Sequence, residues 1–171
     1  MLAAPLLLLG AGCTSAGDAG DDTAKGQTPP AEKRVATAPA NGWGDDIAWR
    51  GLEEGLAEAK EKGMPLMLLV HTTWCSKCKA LKKAFSRDTE IAELSERFVM
   101  VNVDQDEVPQ VEIYGPDGTY IPRVVILSPN GKVDTKLINP RSPRYKYFYA
   151  GPDNNVAATM RQALERYGKT S

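Results

Sequence analysis

Leu66-Met67-Leu68-Leu69-Val70-His71-Thr72-Thr73-Trp74-Cys75-Ser76-Lys77-Cys78-Lys79-Ala80-Leu81-Lys82-Lys83-Ala84-Phe85 is the stretch on which the fold turns. Pro65 opens a continuous apolar run, Leu66 to Val70. Such a run fits a strand buried on both faces, as in a parallel sheet. Beyond the two cysteines, Ala80, Leu81, Ala84 and Phe85 recur at helical spacing. The stretch therefore predicts a strand, a short turn, and a helix that the cysteines open.

Working outward toward the N-terminus, Ile47, Leu52, Leu56 and Ala59 make one apolar face of a helix over 46–62. Asp45 or Asp46 can cap its start and Gly63 its end. In the other direction, Asp88 to Glu96 adds a helical turn or two with Ile91 and Leu94 inward, and Phe98 to Val103 reads as a second strand. Two apolar strands joined by a helix imply a βαβ unit with parallel pairing and a right-handed crossover. Arg123 to Leu127, the turn Pro129-Asn130-Gly131, and Lys132-Val133-Asp134 read as a hairpin. Asn155 to Tyr167 is helical, with Val156, Met160, Ala163 and Leu164 on one face. The predicted order is α, β, α, β, β, β, α. This is an α/β fold whose central mixed sheet joins a parallel βαβ half to an antiparallel ββα half, flanked by helices. Trp43 and Trp49 read as core residues at the domain edge.

The whole chain has 171 residues, room for one globular domain and a tail. Lys and Arg total 21 against 22 Asp and Glu, a formal net charge of −1. That balance gives no general attraction to nucleic acid or to an anionic lipid surface. No apolar run reaches the roughly 18 residues a membrane-spanning helix needs. Residues 2–12, Leu-Ala-Ala-Pro-Leu-Leu-Leu-Leu-Gly-Ala-Gly, have the short apolar core and small residues of a secretory signal. Cys13 follows directly, and this arrangement resembles the lipobox of bacterial lipoproteins. The resemblance makes Cys13 a lipidation site and provides a membrane anchor. A plain cleaved signal and an uncleaved anchor are the alternatives. Residues 14–42 are rich in Ala, Gly, Asp, Thr and Pro and almost without large apolar side chains. They cannot bury enough surface to offset their ordering entropy. The expectation is a flexible linker with a reach of about 30 Å. The chain thus divides into 1–13, a signal or lipobox-like segment; 14–42, linker; and 43–171, folded domain.

Three cysteines, Cys13, Cys75 and Cys78, are too few and too unevenly spread for a disulfide-stapled scaffold. A C-x-x-C pair alone fits half a zinc site, a structural disulfide or a redox motif. Its position decides. At the N-terminus of a helix, unpaired N–H groups and the helix dipole favour a thiolate, the attacking species in disulfide exchange. A partner three residues on can reach back and release a mixed disulfide. On this reading Cys75 is the nucleophile and Cys78 the resolving thiol. Zinc needs two more ligands, and the chain has one histidine, His71, and no second cysteine pair. A structural disulfide across so short a loop adds little stability. No metal or other cofactor is expected.

Trp74 directly precedes Cys75, and W-C-x-x-C resembles the thioredoxin signature. In the thioredoxin superfamily a cis-proline begins the strand after the central loop and packs beside the redox pair. Pro122, just ahead of the Arg123–Leu127 strand, matches that place. The resemblance implies that Trp74, Ile121 and Pro122 bind substrate, with the Ile121 backbone pairing with a client peptide as an added strand. The other reading is that Pro122 merely starts an edge strand.

The resemblance then narrows. Leu66-Met67, His71, Trp74-Cys75, Cys78-Lys79-Ala80-Leu81, Phe98-Val99-Met100-Val101-Asn102, Pro116-Asp117-Gly118, Tyr120-Ile121-Pro122-Arg123 and Tyr145-Lys146-Tyr147-Phe148-Tyr149 look like one group. They resemble the small single-domain thioredoxins of the eukaryotic secretory pathway, the anterior-gradient and thioredoxin domain-containing protein 12 group. The similarity spans about residues 43–167. It implies formation, reduction or reshuffling of disulfides in client proteins, with an unidentified redox partner. Some anterior-gradient members keep one cysteine, so a chaperone-like client binder whose disulfide holds or senses clients is the alternative function. A copper-handling thioredoxin fold is a third. Ser76-Lys77 stands where the two-cysteine relative has Gly-Ala. The end Lys169-Thr170-Ser171 lacks a retention tail. With the lipobox-like start, the expected address is a bacterial cell envelope, facing the periplasm.

Thioredoxin proper carries a buried aspartate six residues before its first cysteine; here that place is Leu69. His71 reads either as a group sharing a proton with the redox pair or as a hydrogen-bonded residue at a strand end. Lys77 adds positive charge beside Cys75. If that lowered the thiol pKa from about 8.5 to about 6, the reduced form would gain about 1.4 kcal/mol at pH 7, or about 30 mV. Thioredoxin-fold proteins span about 150 mV, so Lys77 tilts the site toward oxidant or isomerase without setting its direction. Tyr145 to Tyr149, with Arg141, Arg144 and Lys146, form either a client-binding rim or alternate rings packed under the last helix, and packing is favoured.

Overall fold

The computed structural model describes residues 34–150 and 155–168. These run through Trp49–Arg50 (β1), Leu52–Lys62 (α1), Leu66–His71 (β2), Ser76–Phe85 (α2), Thr89–Ser95 (α3), Val99–Asp104 (β3), a 3-10 helix Pro109–Tyr114, Arg123–Leu127 (β4) and Val156–Tyr167 (α4). Among the described residues the sheet has four strands in the order β1-β3-β2-β4. β3 pairs in parallel with both β1 and β2, with Leu66 opposite Val99 and His71 opposite Asp104. β4 runs antiparallel to β2, with Leu66 opposite Leu127 and Val70 opposite Arg123. This is the expected thioredoxin-like mixed sheet flanked by helices.

β2, β3 and β4 are buried along their whole lengths, which explains their unbroken apolar runs. Alternation splits their side chains between two layers. Met67, Leu69, Met100, Val124 and Ile126 join Leu81 and Phe85 of α2, Ile91 of α3, and Met160 and Ala163 of α4. Leu66, Leu68, Val70, Val99, Val101, Val125 and Leu127 meet Ala59 of α1 and Val111 of the 3-10 helix. Each aliphatic side chain fully buried here contributes about 1.5–3 kcal/mol.

Three expectations change. The first helix begins at Leu52, not near Asp46. Trp49 and Arg50 are instead extended and pair with Met100 and Val101, and Gly51 supplies the extended N-cap. Long-range pairing and the complete burial of Trp49 outweigh the helical spacing of Ile47 with Leu52. Gly63 ends the helix as expected, in the left-handed region at φ 64°.

The second arm of the hairpin shrinks to one bridge, Leu127 to Val133. The turn is closed by the Gly131 amide donating to Ser128 O and the Lys132 carbonyl accepting from Ser128 N, each at 2.8 Å.

Residues 34–42, assigned above to the linker, are seated on the domain. The Arg34 guanidinium donates to the carbonyls of Ser95, Glu96 and Phe98. The amides of Thr37 and Ala38 donate to Trp49 O, and Ala38 and Ala40 pack on the core. Backbone hydrogen bonds anchor this segment, and its lack of large apolar side chains hid them. The segment 1–13, its Cys13, and the linker as far as 33 lie outside the described residues.

Candidate redox site

The site forms where the C-terminal ends of β2 and β3 meet the start of α2. Cys75 is the N-cap of α2, with extended backbone, and its Sγ accepts a hydrogen bond from the Cys78 amide at 3.0 Å. Cys75 and Cys78 form a disulfide with Cα atoms 5.2 Å apart. Cys75 is 7% exposed and Cys78 1%, so the first residue of the pair is the less shielded. α2 folds locally because Cys78, Leu81 and Phe85 form its buried face and the cysteine sulfur satisfies one of its free amides.

Trp74 is 67% exposed, and its Nε1 donates to Asp106 Oδ2 at 2.7 Å. Buried Asp104, at the end of β3, accepts from the Thr73 amide through Oδ2 and from the Asp106 amide through Oδ1, each at 3.0 Å. Neither aspartate was singled out in the sequence. The signal was present: acids directly follow a buried strand, at the sheet end where active residues gather in open α/β folds.

The Ile121–Pro122 peptide bond is cis. Pro122 is buried and Ile121 half-buried, ahead of β4. Arg123 is fully buried and donates from Nη1 to Tyr120 O at 2.8 Å, tying β4 to the loop ahead of the proline. The Tyr120 hydroxyl donates to Asp117 at 2.6 Å and accepts from the Tyr147 amide at 2.9 Å. Burial, with Asp117 beside it, pushes that phenol well above its ordinary pKa.

The aromatic segment splits three ways: of the alternate rings Tyr149 packs in the layer of the last helix, Tyr147 in the opposite layer with Val125 and Leu127, and Tyr145 on the surface. Tyr147 and Tyr149 are buried, and Tyr149 shares a 2.8 Å hydrogen bond with Thr159 of α4. Tyr145 is exposed and clusters with Tyr120 and Phe148, with Arg144 over its ring.

His71 is 3% exposed, 5.1 Å from the Trp43 ring, and its Nε2 has no hydrogen-bond partner among the described residues. Burial holds its pKa below the ordinary histidine value. Lys82 acts in the same direction, against Asp104, Asn102 and the Thr72 backbone. Trp43 and Trp49 are both fully buried in the core. Lys77 is exposed. Among the described residues no group of three or more His, Cys, Asp or Glu side chains is placed to hold a metal ion. No helix there is long and apolar enough to cross a membrane.

A disulfide-forming C-x-x-C pair at a helix N-cap, at the end of a buried parallel strand and on a sheet entered through a cis-proline, defines a thioredoxin-like protein. Residues 48–129 match the thioredoxin-like domain family. Over 136 residues the chain is 37% identical to Anterior gradient protein 3 of Mus musculus, a match covering 78% of this chain and 81% of that protein. Over 144 residues it is 31% identical to Anterior gradient protein 2 homolog of Homo sapiens, covering 83% and 81%. The chain belongs to the anterior-gradient family of thioredoxin-like proteins. Among solved structures, that of a candidate disulphide isomerase from Bacteroides thetaiotaomicron superposes with a TM-score of 0.50 at 22% identity, covering 70% of this chain and 93% of that one, a likeness of fold alone.

Proposed function

We propose that this protein is a thiol–disulfide oxidoreductase acting on protein disulfides, with Cys75 as nucleophile and Cys78 as resolving thiol. One observation carries the reading: the Cys75 sulfur caps α2 and accepts the Cys78 amide at 3.0 Å. In the reduced state the same amide and the helix N-terminus favour a Cys75 thiolate. A client disulfide attacked by that thiolate forms a mixed disulfide, which Cys78 then displaces. Trp74, Ile121 and Pro122 form the binding surface, the client strand pairing with the Ile121 backbone. Turnover in insulin reduction or ribonuclease refolding, lost in Cys75→Ser, tests the reading. Cys78→Ser should accumulate mixed disulfides with clients. A chain that turns over nothing while Cys75 stays unreactive toward disulfides overturns it.

The exposure of Trp74 and Ile113, 67% and 79%, favours a second reading, a chaperone-like client binder whose disulfide holds or senses clients. It requires suppression of client aggregation that survives Cys75→Ser.

The address we propose is the bacterial cell envelope, facing the periplasm, with Cys13 as the lipid attachment point. Its support is the apolar run Leu2 to Gly12 directly ahead of Cys13. Lipid labelling of the full chain, lost in Cys13→Ser, is the expected result; a soluble, unlabelled chain counts against it.

A further inference from the structure

When Cys78 closes on a mixed disulfide it must give up a proton. Its side chain is 1% exposed, on the inward face of α2 with Leu81 and Phe85, so bulk water is not at hand to take it. Few groups in that layer are able to. Along β2, Met67, Leu69 and His71 point into it by alternation, and the first two are apolar. On β3, Asn102 and Asp104 lie on the same side as Met100. Asp104 is held toward the turn beyond β2, Oδ2 accepting the Thr73 amide and Oδ1 the Asp106 amide, each at 3.0 Å. Lys82 of α2 is a cation, its Nζ 5.4 Å from the centre of the Trp43 ring. Trp43 bridges the layer, its ring centre 5.1 Å from His71 and 5.9 Å from Phe85, but an indole N–H only donates. His71 differs from Asp104 in having an acceptor nitrogen that nothing holds: it is buried at the end of β2 with Nε2 unpartnered among the described residues.

We propose that His71 Nε2 accepts the Cys78 thiol proton in the resolving step. The inference rests on the reading of Cys75 and Cys78 as the working dithiol. The step balances. Cys78 Sγ gives its proton to His71 Nε2 and its electron pair to Cys75 Sγ. The Cys75–Cys78 bond forms, and the bond from Cys75 to the client sulfur breaks. The client sulfur leaves as a thiolate and takes a proton from solvent. The client disulfide is reduced and the dithiol oxidised. In the opposite direction the imidazolium returns its proton to Cys78. Burial, reinforced by Lys82 and opposed by Asp104, Asn102 and the Thr72 backbone, keeps the ring neutral and able to accept near neutral pH.

The test is stopped-flow mixing of the reduced full chain with dithiobis(nitrobenzoate). One coloured thiolate is released when Cys75 attacks and a second when Cys78 closes. His71→Gln should slow the second release about 100-fold near pH 7, the low end of general-base effects, and leave the first unchanged. The wild-type second step should also fall away as the imidazole is protonated, a limb absent from the variant. An unchanged second step, or equal slowing of both, overturns the proposal. If His71→Gln does not fold, nitrogen NMR of the reduced wild-type chain decides. Nε2 must be unprotonated near pH 7 and titrate on acidification; an Nε2 protonated throughout overturns the proposal. Absence of even the first release in the wild type defeats the dithiol reading instead, which separates the two failures.

Discussion

The indole of Trp74 is strapped to the carboxylate of Asp106, Nε1 to Oδ2 at 2.7 Å, between residues 32 positions apart in the chain. Asp104 holds both ends of the strap, accepting from the amide of Thr73, just before the indole, and from that of Asp106 itself. The orientation of the ring beside the redox pair is therefore set by the end of β3 as much as by its own turn.

Cutting the strap should separate client binding from thiol chemistry. In Asp106→Ala the exposed indole loses its tether but no buried group is orphaned, so stability changes by less than about 1 kcal/mol. The expected outcome is a higher KM for a client peptide with an unchanged rate of attack on a small disulfide, read by steady-state and stopped-flow kinetics.

Asp104→Ala is more damaging, because it strips the acceptor from two amides at the edge of the core. A loss of about 2 kcal/mol is expected, seen as a lower urea midpoint at unchanged slope. Asp104→Asn, which keeps one acceptor oxygen, should recover about half of it.

Gly55 lies where α1 crosses β3, and a Cβ there would run into Val101 Cγ2. On an open helix surface Gly→Ala stabilises by about 1 kcal/mol. Here Val101 is fully buried and has no room to yield, so overpacking, worth about 1–3 kcal/mol, outweighs the gain in propensity. Gly55→Ala should therefore lower thermal stability, while Gly63→Ala should do so for a different reason, the left-handed backbone at φ 64°.

Glu58 gathers Arg50, Lys62 and Arg34 around one carboxylate that is 11% exposed. Burial pushes its pKa up, but the hydrogen bonds from Lys62 and Arg50, and their charges, win and hold it at about 2 against an ordinary 4.5. A carboxyl depressed by folding contributes stability that is present above its unfolded pKa and lost as pH falls through its folded one. Glu58→Gln should thus destabilise by about 1–2 kcal/mol at neutral pH after allowance for solvent screening. That difference should shrink between pH 4.5 and about 2 and vanish below it, as measured by urea unfolding across that range.

Much of the frame was legible in the residues. The runs Leu66 to Val70 and Arg123 to Leu127 are strands because a sheet covered on both faces demands unbroken apolar sequence. The cysteine pair announced its position because a buried strand ends four residues before it and a helix begins at once. Pro122 stood out by preceding a strand. The site's flank did not stand out. Asp104 and Asp106 are ordinary acids in a local reading, and only the approach of Thr73 and Trp74 gives them partners. Residues 34–42 looked like linker because composition reports side chains, whereas backbone carbonyls and the arginines at 34 and 50 hold that segment.

By itself the sequence determined the strand and helix periods, the C-x-x-C pair at a helix start, and the apolar face of α4, since these depend on neighbours within a few residues. Only the tertiary structure decided that Trp49 and Arg50 leave the helix to pair with Met100 and Val101, that the second hairpin arm shortens to one bridge, and that His71 ends up buried with Nε2 unpartnered among the described residues. The physical reason is range: a helical period is set within one turn, whereas strand partners and buried charges are settled by residues some fifty positions away, where burial and hydrogen bonding outweigh local propensity.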